Sequence, residues 1–236
     1  MFESLFAKTF AILGSQLLIT FLGAVLVLKF LRRLYRKGVK GITATTNERG
    51  ELDLVVDNSV TRPYVWPLLI LYFGLFFLLY FFGIYDLSIG IPLFTLWSLV
   101  VGTLLALALV RVDENLGARV LGITASVTFL CALIGIYSGI NFSRLEKILF
   151  FALLALIVFS TIRLFVKIPR VEQRLGAFFG VLVFIGYLLV DFSRIEQLEK
   201  ARRNTWAVAM DLAINLYLDI VNLFLQLLDL LSQSSD

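Results

Sequence analysis

Six polar residues repeat along the last hydrophobic stretch of the chain: Asp211, Asn215, Asp219, Asn222, Gln226 and Asp229. Their steps of 4, 4, 3, 4 and 3 residues, at about 100° per residue, gather all six within about 80° of one helix face. Between Leu212 and Leu231 the rest of that helix is Leu, Ile, Val, Phe, Ala and Tyr217. A carboxylate at the centre of a spanning helix costs about 2.5–3.5 kcal/mol, so three of them cannot face lipid. The polar face must line water or the interior of a bundle. Two plainer readings compete with this one. Asn215, Asn222 and Gln226 could simply hydrogen-bond neighbouring helices. Alternatively, the helix could lie on the membrane surface, but such helices ordinarily carry Lys or Arg on the polar face, and this one carries none. An interior helix whose seam lines a hydrated cavity is the preferred reading.

A further acid, Asp191, closes the preceding apolar run, and the connection to the last helix is short. Asp191 can thus approach the level of Asp211 or Asp219. Two close carboxylates in a poorly solvated site do not both ionise easily, so one proton is shared between them. Once both are deprotonated they repel, and together they offer hard oxygen ligands suited to Ca²⁺. Spacing equally allows Asp191 to pair with Arg194, one turn on. What the chain lacks narrows the chemistry further, since it holds no histidine and a single cysteine, Cys131. Histidine bases, Ser–His and Cys–His nucleophiles, histidine-ligated haem and ordinary zinc sites are all excluded, as is an intrachain disulfide. Any proton sensing falls to carboxylates. Cys131 reads as a packing residue and Tyr217 as core. Arg163 reads as a boundary cation snorkelling to the interface with Lys167 and Arg170, with a counter-ion role toward the acids as the alternative.

These side chains need a scaffold, and composition names its class. Of 236 residues, 60% are hydrophobic and 16% charged, where soluble domains are about 45–50% apolar and about 25% charged. At about 20 residues per bilayer crossing, the apolar content suffices for about seven spans. The runs lie at 9–30, 64–85, 87–110, about 116–140, 148–166, 175–190 and 206–231. The first is too long for a secretory signal core and ends in Arg32 and Arg33 rather than a cleavage site, so it reads as a retained span. The second opens at Arg62-Pro63 and is interrupted by Pro67. Short loops between spans two and six favour antiparallel neighbours in one bundle. The chain is therefore an all-α membrane protein, 1–236 forming a single transmembrane domain.

The exception is the extramembrane loop 32–63. Ile42–Thr46 and Glu51–Val56 are β-prone and flank Asn47-Glu48-Arg49-Gly50, so a small hairpin and a solvated loop are equally compatible with it. Fourteen of the 21 lysines and arginines fall in loops after odd-numbered spans, which leans toward an outside amino terminus and an inside carboxyl terminus. The net charge of +4 is spread over loops, and nucleic acid is not an expected partner.

At its carboxyl end the sequence resembles the Bax inhibitor motif family. Ala213 to Leu228 is similar to that family's last-helix signature, Gly180 to Asp191 to its aspartate-ended sixth helix, and Ala7 to Leu13 to its first-helix entry. The resemblance extends over the whole chain in span count and order, although the basic cluster here follows span one and Phe82-Gly83-Ile84-Tyr85-Asp86 after span two has none. It implies a seven-helix fold with the last helix central in the bundle. It also implies a pH-sensitive calcium leak gated by Asp191 and Asp219, the same pair serving as transient metal ligands. Asp211, Asn215, Asn222, Gln226 and Asp229 would line the ion pathway. Eukaryotic relatives are linked to suppression of cell death and calcium release, and some bacterial ones to modulation of a membrane protease.

An intramembrane aspartyl protease would also use two aspartates. Its Gly-x-Gly-Asp motif is missing before both Asp191 and Asp219, and a retinal pigment would need a lysine in the last helix. The chain is thus expected to be no enzyme and to hold no resident cofactor, Ca²⁺ being the transported ion. Its expected partners are the lipid bilayer, calcium ions and protons. The expected form is a monomer in a bacterial inner membrane, since Ser232 to Asp236 lacks the basic tail of eukaryotic members. The rival reading is a non-transporting regulator that binds another membrane protein, such as a protease or a cell-death factor.

Overall fold

The computed structural model describes residues 3–46, 52–110, 112 and 114–233. Its helices are α1 (Leu5–Arg36), α2 (Asn58–Leu78, continued by a π-helical turn Leu79–Gly83), α3 (Leu87–Leu109), α4 (Glu114–Tyr137), α5 (Glu146–Phe165, entered through a 3₁₀ turn Phe142–Leu145), α6 (Arg170–Lys200) and α7 (Trp206–Ser232). Among the described residues, seven helices are long and apolar enough to cross a bilayer. Their outward surface is apolar: Trp66 is 70% exposed, Ile70 71% and Phe165 84%. Such a surface is stable only against lipid.

The remaining regular structure is one antiparallel pair, β1 (Ile42–Thr46) and β2 (Leu52–Val56), with Ile42 opposite Val56 and Thr46 opposite Leu52. Asp57 N–H donates to Gly41 O at 2.8 Å, extending the ladder by one rung. The turn foreseen at Asn47–Gly50 lies outside the described residues.

Two helices depart from the sequence reading. α2 starts at Asn58 and runs through both Pro63 and Pro67, rather than opening at the first and breaking at the second. Each proline removes one backbone hydrogen bond, a loss that spanning helices tolerate. α6 does not stop at Asp191 but continues to Lys200. Phe192 and Ile195 are buried just beyond the aspartate, and Lys200 pairs with Glu196 at 2.6 Å, so the last turns still have a core face and a charged face. The helix ends where Arg202 takes a left-handed φ of 55° and Arg203 N–H donates to Leu198 O, a turned-back C-cap.

The chain forms two compact units. The first holds residues 1–9, 118–205 and 212–236; the second holds 10–117 and 206–211. In the second unit, Trp97 of α3 is fully buried against Tyr72, Phe76 and Phe94, with ring centroids 5.5, 5.6 and 5.7 Å away. Buried Gln16 of α1 accepts from Ser98 Oγ at 3.0 Å and donates to Thr95 Oγ1 at 3.4 Å, so a polar side chain inside the apolar layer is satisfied across α1 and α3. Those two helices meet backbone to backbone: a Cβ on Gly102 would lie 2.4 Å from Thr20 O. Asp86 starts α3, accepting from Ser88 N and Oγ at 2.8 and 2.7 Å. These bonds hold its carboxyl below the usual range.

In the first unit the start of α1 is clasped to the α6–α7 turn. Leu5 N–H donates to Glu199 Oε2 at 2.6 Å, and Lys8 Nζ donates to Asn204 Oδ1 at 2.8 Å. An acid therefore meets the open N–H groups of a helix start.

Close approach of α1 and α3 has a measurable cost if blocked. Gly102→Ala destabilises the detergent-solubilised protein by about 1–3 kcal/mol through overpacking, read as a lower melting temperature. Gly74→Ala, with nothing within 4 Å of the added Cβ, leaves it unchanged or slightly raised, because alanine favours the helix.

Candidate functional site

The first unit contains a cleft of about 1380 Å³ between faces of α5, α6 and α7. α6 forms its floor, and glycines let the flanking helices settle onto it. Gly186 lies against Leu149 of α5 and Gly180 against the Gln226 side chain of α7, where an added Cβ would approach to 2.6 and 2.5 Å. The α5 wall presents Glu146, Phe150, Leu153, Ile157 and Ser160, again at steps of 4, 3, 4 and 3 residues. Opposite it runs the α7 seam.

Four of the six seam residues line this cleft: Asn215, Asp219, Asn222 and Gln226. Asp191 enters it from α6, and its carboxyl group meets that of Asp219 at side-chain hydrogen-bonding range. Both residues are buried, at 7% exposure each. Oδ2 of Asp219 is a buried acceptor with no hydrogen-bond donor among the described residues. Tyr187, one turn before Asp191 on α6, lies within electrostatic reach of both carboxyl groups. Asn222 Nδ2 donates back to Leu218 O of its own helix at 2.8 Å.

The two remaining seam residues are elsewhere. Asp211 falls in the other unit and is half-buried. Asp229 is held by Arg163 of α5 in a two-pronged ion pair, Nη1–Oδ2 at 2.5 Å and Nη2–Oδ1 at 3.1 Å. That corrects the reading of Arg163 as a snorkelling cation: a carboxylate lies within reach of its guanidinium fork, and paired donors are stronger than hydration of a lone charge at an interface. Cys131 is buried, and Tyr217 is fully buried.

One end of the cleft is charged, with Glu146, Lys147 and Arg194 on its rim. A smaller hollow of about 430 Å³ shares Glu146, Val190 and Arg194 with it. The other end is lined by Ser160, Thr161 and Gln226. Sequence reasoning missed Tyr187, Ser160, Thr161, Glu146 and Lys147, and named Arg194 only as a possible partner of Asp191. The signal was present in α5, whose Glu146 and Ser160 stand about four turns apart on one face.

No residue of α7 from Ala207 to Ser232 is exposed, so the helix is enclosed along its length and is not an interfacial one. Among the described residues no group of three or more carboxylate or thiol side chains converges. Ca²⁺ takes 6–8 oxygen ligands, more than the four carboxylate oxygens of Asp191 and Asp219 supply.

The chain was compared with known proteins. Residues 3–236 match the family described as "Inhibitor of apoptosis-promoting Bax1". An uncharacterized membrane protein of Streptococcus pyogenes serotype M6 is 31% identical over 143 residues, which are 59% of this chain and 61% of that protein. Protein LIFEGUARD 4 of Arabidopsis thaliana is 34% identical over 90 residues, 38% of this chain and 34% of its own. The Golgi anti-apoptotic protein of vaccinia virus (strain Lister) is 41% identical over 95 residues, 40% and 38% of the two chains. The match thus spans about three fifths of the streptococcal relative's length. With a family match over residues 3–236 and, among the described residues, seven helices long and apolar enough to cross a bilayer, this chain belongs to the Bax inhibitor family of multi-pass membrane proteins.

Proposed function

We propose that the protein is a pH-sensitive calcium leak in a bacterial plasma (inner) membrane, gated by Asp191 and Asp219. The observation that carries this reading is the meeting of the two carboxyl groups inside a cleft whose other polar α7 lining is amide. A hydrogen bond between two carboxyl groups requires one proton on the pair. While it is present the bond ties α6 to α7. When it leaves, two like charges face each other in a poorly solvated site and the helices are pushed apart. The same four oxygens then become acceptors for Ca²⁺, and Asn215 and Asn222 offer amide oxygens one turn to either side. Protonation locks and deprotonation opens, so flux rises with pH. The streptococcal relatives support the bacterial location.

A second reading is a regulator that carries no ion and acts by binding another membrane protein. The name of the vaccinia relative, an anti-apoptotic protein, favours it. The two readings differ in whether the purified protein alone moves ions.

Two measurements follow. Wild-type protein in Ca²⁺-loaded liposomes releases Ca²⁺ faster as the medium goes from about pH 5 to about pH 8, the range in which histidine would ordinarily sense pH. Asp191→Asn and Asp219→Asn each flatten that profile. Unchanged profiles in both variants reject the gating role, and no release from folded wild-type protein favours the regulator.

The second measurement is thermal stability. Asp219→Asn keeps a bridge to Asp191, since its amide donates, and melts within about 1 kcal/mol of wild type. Asp219→Ala removes a buried carboxyl group that faces Asp191 and costs about 1–3 kcal/mol.

A further inference from the structure

We propose that Arg163 and Asp229 are the second closure of this pathway, a tethered cation seated on the last acid of the seam. The proposal rests on the reading of the cleft as an ion pathway and adds to it a seal distinct from the aspartate pair.

The geometry is that of a plug. On α5 the cleft lining ends at Ser160 and Thr161, and on α7 it ends at Gln226. Arg163 and Asp229 each stand three residues past Ser160 and Gln226, one turn further in the same direction, and neither lines the cleft. Their ion pair spans α5 and α7 at that level. The opposite end carries the charged rim of Glu146, Lys147 and Arg194. The cleft lining therefore stops about one turn short of the level where the two side chains meet.

The carboxylate is fixed as well as paired. Gln233 Nε2 donates to Asp229 Oδ1 at 2.8 Å, while Ser232 Oγ donates to the backbone carbonyl of Asp229 at 3.0 Å. The side chains of Arg163 and Asp229 are 35% and 29% exposed, as expected at a rim rather than in a buried brace. With all its donors fixed in a planar fork, the guanidinium occupies both carboxylate oxygens. A hydrated cation arriving from the cleft meets Asp219 and then, about 15 Å further along α7 at 1.5 Å per residue, an acid already neutralised by a protein cation. Passage requires that the guanidinium leave. Asp229 then supplies the exit carboxylate.

The test uses the full chain carrying Cys131→Ser and Asn222→Cys, in right-side-out and inverted vesicles. The probe is a membrane-impermeant, positively charged methanethiosulfonate, with Ca²⁺ release measured in parallel. With the pair intact, Cys at 222 reacts from the Glu146–Arg194 side only. Arg163→Gln or Asp229→Asn opens the other side, raising labelling there at least tenfold and Ca²⁺ release several-fold. The charge-exchanged protein, Arg163→Asp with Asp229→Arg, restores one-sided labelling, which a variant that had merely lost its fold would not. One-sided labelling that persists in both single variants overturns the seal, as does equal two-sided labelling with the pair intact. Opened labelling without Ca²⁺ release in any variant leaves the seal standing and rejects the leak.

Discussion

The arrangement of the first unit follows from the cost of keeping α7's polar groups out of lipid. An unsatisfied carboxylate or amide in hydrocarbon is expensive, and α7 carries several on one face. The helix is accordingly enclosed, with none of its residues between Ala207 and Ser232 exposed. Enclosure demands a neighbour that can come close, and α6 provides it through Gly180, which receives the Gln226 side chain. It also demands space for what cannot be packed, and the cleft between α5, α6 and α7 is that space.

Within this constraint the protein treats its acids in two opposite ways. Asp229 is given a full counter-charge, the guanidinium of Arg163, in a half-exposed setting where ion pairing and hydration both contribute. Asp219 is given another acid, and one of its oxygens is left without a donor. The first arrangement supplies a fixed positive partner, because arginine stays charged. The second leaves one buried acceptor open to a donor. A polar seam with both solutions is fixed at one end and responsive in the middle.

Much of this was legible in the sequence, and the limits are physical. Seven spans follow from hydrophobic length alone, and the seam follows from the helical period. Whether Asp191 meets Asp211 or Asp219 is different, because it depends on the rotation and depth of α6 relative to α7. Those are set by Gly180 and Gly186, whose role appears only when the opposing side chains are in place. The end of α6 was misplaced because hydropathy falls after Val190, although Phe192 and Ile195 still bury. Pro67 reads as a break by the rules of soluble helices, which lipid relaxes. Arg163 was misread for want of a comparison between helices. α5 repeats at 146, 150, 153, 157 and 160, and α7 at 215, 219, 222, 226 and 229, with identical steps. Laid side by side, the two series place an arginine near the level of an aspartate.

That shared period also bears on how the two closures are related. A rigid shift of α7 along α5 by one turn would carry Asp229 away from Arg163 and, at the same time, Asp219 away from Asp191, because both contacts belong to one helix. The two cannot be broken independently by sliding. Rotation of α7 about its axis is equally shared. The motion that separates them is local, a guanidinium swinging at the end of a flexible side chain while the helix stays in place. A protein that responded to protons in one place and held a seal in another, as proposed, would be served by this division. In the proposed leak, like-charge repulsion between Asp191 and Asp219 would act on α6 and α7 as whole helices, whereas Arg163 would yield by side-chain rotation alone. In the proposed leak, the long arginine, not the helix, is therefore the element that would let the far end open without dismantling the middle.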